Sequence, residues 1–221
     1  MGWASPERGV GLPNRFYNPR MHTIPTITAL RGQQLLSVLD DIARLRIRVF
    51  NDWPYLYQGS FDYEREYLAA YAATADAICV IARDGEEVVG ASTGLPLRDD
   101  GPAFSAPFEA AGIDPAQVFY FGESVLLPAY RGQGVGHAFF DAREAHARAL
   151  GRFKLTAFCA VDRADDDPRR PAVHRDNAVF WHKRGYQRQP GMTLQLQWEE
   201  VGQGSVIHPL TFWTRQLEPV A

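Results

Sequence analysis

Apolar and polar positions divide this chain into short pieces of changing period. Residues 24–30 alternate enough to predict a first strand. Over residues 34–50, Leu35, Leu36, Leu39, Ile42, Ala43, Ile47 and Phe50 recur at helical spacing and predict an amphipathic helix. An aromatic loop from Asn51 to Gly59 follows, broken by Pro54 and Gly59. A second helix is predicted over residues 62–73, with Tyr63, Tyr67, Ala70 and Tyr71 on one side.

The period then changes to two. Residues 77–83 and 86–95 read as strands joined by Asp84-Gly85, a strong hairpin-turn pair. Residues 96–116, rich in Pro, Asp and Ala, read as a loop, and residues 118–127 as one apolar strand. A helix is predicted over residues 137–150, with Phe139, Ala142, His146, Ala149 and Leu150 inward and Gly151 placed to end it. Residues 154–161 form a buried strand, 162–176 a polar loop, and 178–184 a short helix stopped by Gly185. Residues 193–201 alternate cleanly, as a half-exposed strand does, and 210–217 close the chain as a strand or short helix. Residues 1–22 show little periodicity and are expected to form an extended arm ahead of one domain spanning 23–221.

The most specific chemistry lies where the 118–127 strand meets the following helix, in Pro128-Ala129-Tyr130-Arg131-Gly132-Gln133-Gly134-Val135-Gly136. Alternating glycines let backbone approach a ligand, and the helix start offers unpaired N–H groups with partial positive charge. Together they make an anion cradle suited to a phosphate or pyrophosphate. A dinucleotide fingerprint is excluded, because His137 or Phe139 stands where its third glycine belongs. A nucleoside-triphosphate loop is excluded too, since no lysine follows the glycines.

What stands, R-G-x-G-x-G between strand and helix, resembles the acyl-CoA-binding motif [QR]-x-x-G-x-[GA] of the GNAT superfamily of N-acetyltransferases, with Pro128 three residues ahead. The predicted order β-α-α-β-β-β-α-β-α-β is similar to the GNAT fold, an α/β (α+β) architecture with a mixed, mostly antiparallel sheet flanked by helices. The resemblance therefore covers nearly everything after residue 23. Residues 121–128 and 180–186 also look like a subgroup of larger bacterial-type GNAT proteins of unassigned substrate.

The resemblance implies acetyl-CoA as co-substrate. It implies that Leu126 and Leu127 lie beside the pantetheine arm, with the Leu126 N–H facing the acetyl carbonyl. Backbone N–H groups of Arg131, Gly132, Gln133, Gly134, Val135 and Gly136 would hold the pyrophosphate, while the Arg131 side chain contacts phosphate or caps the turn. His174 falls where an asparagine touching CoA often sits. Trp181 replaces the tyrosine that usually protonates the leaving group, and an indole N–H donates hydrogen bonds without acting as an acid. Trp181 is thus expected to line the pantetheine site, with Tyr55, Tyr57 or Cys159 as substitute acids.

Glu123 is the expected proton acceptor, since it is a carboxylate in a strand otherwise nearly free of charge. Its alternative role is to bind a cationic substrate or a neighbouring backbone group.

A net charge of −3 argues against non-specific nucleic-acid binding, which needs a basic face. No apolar run approaches the roughly 18 residues of a membrane span, and no signal pattern opens the chain. Cys79 and Cys159 fall in apolar runs and read as reduced core residues of a cytoplasmic protein. The six histidines lack ligand spacing, so no metal is expected. The leading expectation is a cytoplasmic acyl-CoA-dependent N-acyltransferase acting on a small-molecule amine. Its alternatives are a protein or peptide N-acetyltransferase and a non-catalytic acyl-CoA-binding sensor or partner. By fold-level analogy, the closing strands are candidates for pairing two copies into a homodimer.

Overall fold

The computed structural model describes residues 24–218; the arm expected over residues 1–22 lies outside them. The chain runs β1 (Thr26–Leu30), α1 (Leu39–Phe50), α2 (Phe61–Ala73), β2 (Ile78–Asp84), β3 (Glu87–Pro96), α3 (Pro102–Ala110), β4 (Val118–Tyr120) and β5 (Ser124–Leu126). It continues through α4 (Val135–Ala149), β6 (Leu155–Val161), α5 (Ala178–Lys183), β7 (Gln187–Glu200) and β8 (Gly204–Gln216). The sheet order is β1-β2-β3-β4-β6-β8-β7, with β5 attached to β3. Among the described residues only β4 and β6 pair in parallel; the other pairs are antiparallel. This is the mixed, mostly antiparallel sheet that the resemblance implies. No helix among the described residues is long and apolar enough to cross a membrane.

The strand expected over 118–127 is two short strands, and the break positions the site. β4 pairs with both β3 and β6, whereas β5 pairs with β3 alone. Between them, Gly122 passes so close to Tyr71 and Thr93 that a Cβ would overlap the Tyr71 hydroxyl. The buried Arg143 guanidinium fixes the break, with Nη1 donating to the carbonyls of Thr93 and Glu123, each at 3.2 Å. Arg143 stacks over the Phe121 ring at 4.0 Å and is 1% exposed.

Other expectations change for local reasons. The helix expected over 34–50 is a 3-10 turn, Gly32–Ser37, followed by α1. The loop expected over 96–116 contains α3; Pro102 sits at its first turn, where a missing N–H is harmless. On α2, Tyr63 and Ala70 are exposed, while Glu64, Leu68, Tyr71 and Ala72 are buried. On α4, Ala149 is exposed, while Phe140, Arg143, Glu144 and Ala147 join Phe139 and His146 inside. β7 begins at Gln187, ahead of the expected 193, because an irregularity between Gln189 and Thr193 hides its alternation. The closing element is a strand.

Candidate active site

The break leaves two strand edges facing each other without a shared ladder. Toward β3, Leu127 N donates to Val89 O at 2.9 Å and Thr93 N donates to Glu123 O at 3.1 Å. Antiparallel pairs alternate in direction, so Ser124 and Leu126 turn their N–H and C=O groups to the opposite edge. On β6, Asp162 N donates to Pro209 O and Leu217 N to Lys154 O, so even-numbered residues face β8. Cys159 and Val161 therefore face back toward β5. Among the described residues no strand covers either edge there. A cleft of roughly 1990 Å³ occupies the opening.

One end of this cleft is the glycine turn. Gly132 (φ +79°) and Gly134 (φ +84°) adopt left-handed conformations that disfavour any residue with a Cβ. Beyond them α4 begins at Val135, and its first N–H groups precede the first intrahelical acceptors. Arg131 Nε donates to Leu126 O at 3.3 Å, so its side chain braces the strand end. Gln133 folds onto Ala129 O at 3.0 Å. Leu127 is buried and commits its N–H to β3, so of the two leucines only Leu126 presents its N–H to the cleft.

Glu123 sits at the centre, 8% exposed. Its Oε2 lies 2.6 Å from Arg46 Nη1 and accepts from the Tyr67 hydroxyl at 3.2 Å. Its Oε1 is buried and has no partner among the described residues. Arg46 also pairs with Glu64, which is fully buried, and lies 4.4 Å from the Tyr67 ring centre. Burial alone would lower the Arg46 pKa, but Glu123, Tyr67 and Glu64 together raise it well above its usual value. Burial, then Glu123, pushes the Tyr67 and Tyr71 hydroxyls up as well. Asp100 lines the same cleft, and burial followed by repulsion from Glu123 raises its carboxyl to about 7.

Sequence reasoning reached Glu123 but missed Arg46, Glu64 and Asp100 as site residues. A signal existed for the first two. Arg46 shares the apolar stripe of Ile42 and Phe50, and Glu64 that of Leu68, so each is a charge on a buried helix face. Asp100 follows Asp99 in a turn, and nothing in the sequence separates the two.

The far wall is the aromatic loop. Tyr57 bridges to Glu200 on β7, Gln58 N donates to Glu199 O, and Val201 N donates to Leu56 O. Arg163 donates to the carbonyls of Pro54 and Tyr55, and pairs with the buried Glu200 at 3.2 Å. His174 stands against Trp53, ring centres 6.2 Å apart, on this wall of the cleft. Trp181 packs edge-on to Trp213 at 5.1 Å and against Phe158 at 5.0 Å, with its ring half-buried. Burial pushes the Cys159 thiol up to about 12 and raises the Tyr55 and Tyr57 hydroxyls, making each a poorer proton donor than its free counterpart. Among the described residues, no group of three or more His, Cys, Asp or Glu side chains is placed to hold a metal ion.

A mixed sheet that opens beside a glycine turn and a helix N-terminus defines an acetyltransferase fold. The family model for acetyltransferases of the GNAT family matches residues 40–171, more than half of the chain, and the protein belongs to that family. Among solved structures, yncA from Salmonella typhimurium, with its cofactor acetyl-CoA, has a TM-score of 0.54 at 14% identity, covering 89% of this chain and 96% of that one. Arabidopsis thaliana NAA60 in complex with acetyl-CoA has a TM-score of 0.57 at 14% identity, covering 87% and 99%. An N-acetyltransferase from Staphylococcus aureus Mu50 has a TM-score of 0.54 at 13% identity, covering 89% and 100%. At such identities the likeness is one of fold. No curated protein matches the sequence.

Proposed function

We propose that this protein transfers an acetyl group from acetyl-CoA to the primary amine of a small molecule, by direct attack of the amine on the thioester. The observation that carries this reading is the pair of edges at Leu126 and Cys159 that no described strand covers, beside the left-handed turn at Gly132 and Gly134. That arrangement fits an extended arm ending in a pyrophosphate. Residues 131–136 would hold the pyrophosphate through backbone N–H groups, and the Ser124–Leu126 edge would take the arm as an added strand. When bound, acetyl-CoA supplies an activated acyl group and its thiol leaving group.

The remaining chemistry belongs to this chain. The Leu126 N–H, aimed into the cleft, is the donor for an oxygen on which charge develops. Glu123 Oε1, buried and unpartnered, receives the amine's proton, while Arg46 and Tyr67 hold the other carboxylate oxygen in place. Trp181 packs the cleft wall and takes no part in proton transfer. His174 stands near Trp53, in keeping with a wall of the acceptor end. The aromatic loop is tied to β7 through Tyr57, Gln58 and Arg163 and forms a fixed wall of the cleft, in keeping with a small-molecule acceptor. We place the activity in the cytoplasm; the free thiols of Cys79 and Cys159 agree with a reducing compartment.

The test is to supply acetyl-CoA with a panel of polyamines, amino acids, aminoglycosides and peptides and to follow free CoA thiol. Amine-dependent release confined to small amines supports the reading. Release with peptides alone moves it to peptide acetylation, and bound acetyl-CoA with no release moves it to a sensor.

A further inference from the structure

Asp100 is a charged group on the cleft wall that the reading above leaves without a task. It ends a short 3-10 turn, Leu97–Asp100. The chain reverses immediately afterwards at Gly101, whose φ of +102° requires glycine. The reversal separates neighbouring side chains: Arg98 and Asp99 are exposed, and Arg98 pairs with Asp114 at 2.8 Å, while Asp100 is half-buried on the cleft wall. Among the described residues, Asp100 has no ion pair and no hydrogen-bond partner.

Glu123 supplies the independent observation. Its side chain is more than nine-tenths buried, it lines the same cleft, and its Oε1 has no partner. Two carboxylates therefore line one cleft, Asp100 half-buried and Glu123 with a buried oxygen lacking a partner, and Phe104, Tyr120 and Tyr67 line the same cleft. The groups that feel Asp100 are Tyr67 and Tyr71 on α2, Tyr120 on β4, Glu123 at the break and Cys159 on β6. Arg46, a cation of the same cleft, is already shared between Glu64 and Glu123 Oε2. Unpaired carboxylates are costly in such a place unless a cation joins them. An ammonium group has three donors, and aromatic rings accommodate both its charge and its carbon chain.

We infer that Asp100 is a specificity-determining carboxylate of the acceptor pocket, which together with Glu123 Oε1 holds the incoming nitrogen as an ammonium ion. The acceptors are then small cationic amines with an apolar body; neutral, weakly basic amines are excluded. Before attack the ammonium gives one proton to Glu123. The free amine then forms the N–C bond as the thioester C–S bond breaks, the second nitrogen proton leaves with the CoA sulfur as the thiol, and Asp100 stays ionised. The word acceptor rests on the acetyl-transfer reading; the cation site does not.

The experiment is calorimetric titration of the full chain, loaded with CoA, with n-butylammonium chloride and with the uncharged 1-butanol, at pH 8 and pH 6. Butylammonium should bind at pH 8 and bind about tenfold more weakly at pH 6, because a carboxyl titrating near 7 is mostly protonated there while the amine stays charged. 1-Butanol should bind poorly at both. Asp100→Asn should lose about tenfold at pH 8 and show no pH dependence, whereas Asp99→Asn should match the wild type. Equal binding of butylammonium and butanol, no binding of butylammonium, or an Asp100→Asn variant matching the wild type would each overturn the inference. CoA release is measured separately. Butylammonium binding without release sinks acetyl transfer and leaves the cation site standing. Release whose KM ignores Asp100→Asn does the reverse.

Discussion

Arg46 on α1 and Glu123 in the break between β4 and β5 form a buried ion pair, 2.6 Å between Nη1 and Oε2. The pair locks one oxygen of the carboxylate and leaves the other buried without a partner, so that a costly buried charge is held in one orientation. Glu123→Gln keeps the shape and removes the basic oxygen. Turnover should fall by roughly 10²–10⁴ with acetyl-CoA affinity retained, since a positioned general base contributes about that much. Steady-state kinetics beside a binding isotherm decide the matter; near-wild-type turnover would leave Glu123 with a structural role.

Removing the cation should act on stability first. Arg46→Met strands Glu64, which is fully buried, and Glu123 without their shared partner. Breaking a buried pair from one side costs about 3–5 kcal/mol. Urea unfolding should show a loss of that size; a loss below about 1 kcal/mol would mean the carboxylates are not held as described.

The glycine turn makes a prediction about backbone rather than contact. A Cβ built at Gly134 meets no protein atom within 4 Å, so a larger residue would not clash with the fold. It would instead be forced into φ +84°, which costs roughly 1–2 kcal/mol for an L-residue and more when β-branched, and would project into the open cleft end. Gly134→Val should therefore abolish acetyl-CoA binding by calorimetry while the protein stays folded. Normal binding would displace the cradle from this turn.

Asp100 has a stability consequence of defined sign. Its carboxyl is raised to about 7 from 3.8, by burial first and Glu123 second, so the ionised form opposes folding. That penalty is complete above about pH 7 and fades as pH falls toward the unfolded value. Asp100→Asn removes it. The variant should melt higher than the wild type at pH 8, and the two curves should converge by about pH 4. A variant less stable at pH 8 would mean that Asp100 has a folded-state partner.

Residues 128–136 were legible because a glycine-rich strand-to-helix turn is a local object whose chemistry is backbone. Glu123 was legible because a charge in an apolar strand stands out. The break at Gly122 was not, because residues 118–127 are apolar on both sides of one Gly-Glu-Ser step, and the contacts with Tyr71, Thr93 and Arg143 that accompany the change of partners come from distant parts of the chain. Helix α3 escaped notice because Pro102 and Pro107 read as breakers, although the first lies where a helix tolerates proline.

By itself, then, the sequence determined the main run of elements apart from α3 and the β4–β5 break, the glycine turn between strand and helix, and the charge at Glu123, since each rests on interactions within a few residues. Tertiary structure alone decided what that carboxylate faces. Arg46, Glu64, Tyr67, Asp100 and Glu123 come from α1, α2, the turn before α3 and the strand break, and the cleft joins them only once the sheet has formed. Long-range electrostatics and burial have no sequence period, so the charge balance of the pocket becomes visible only in three dimensions.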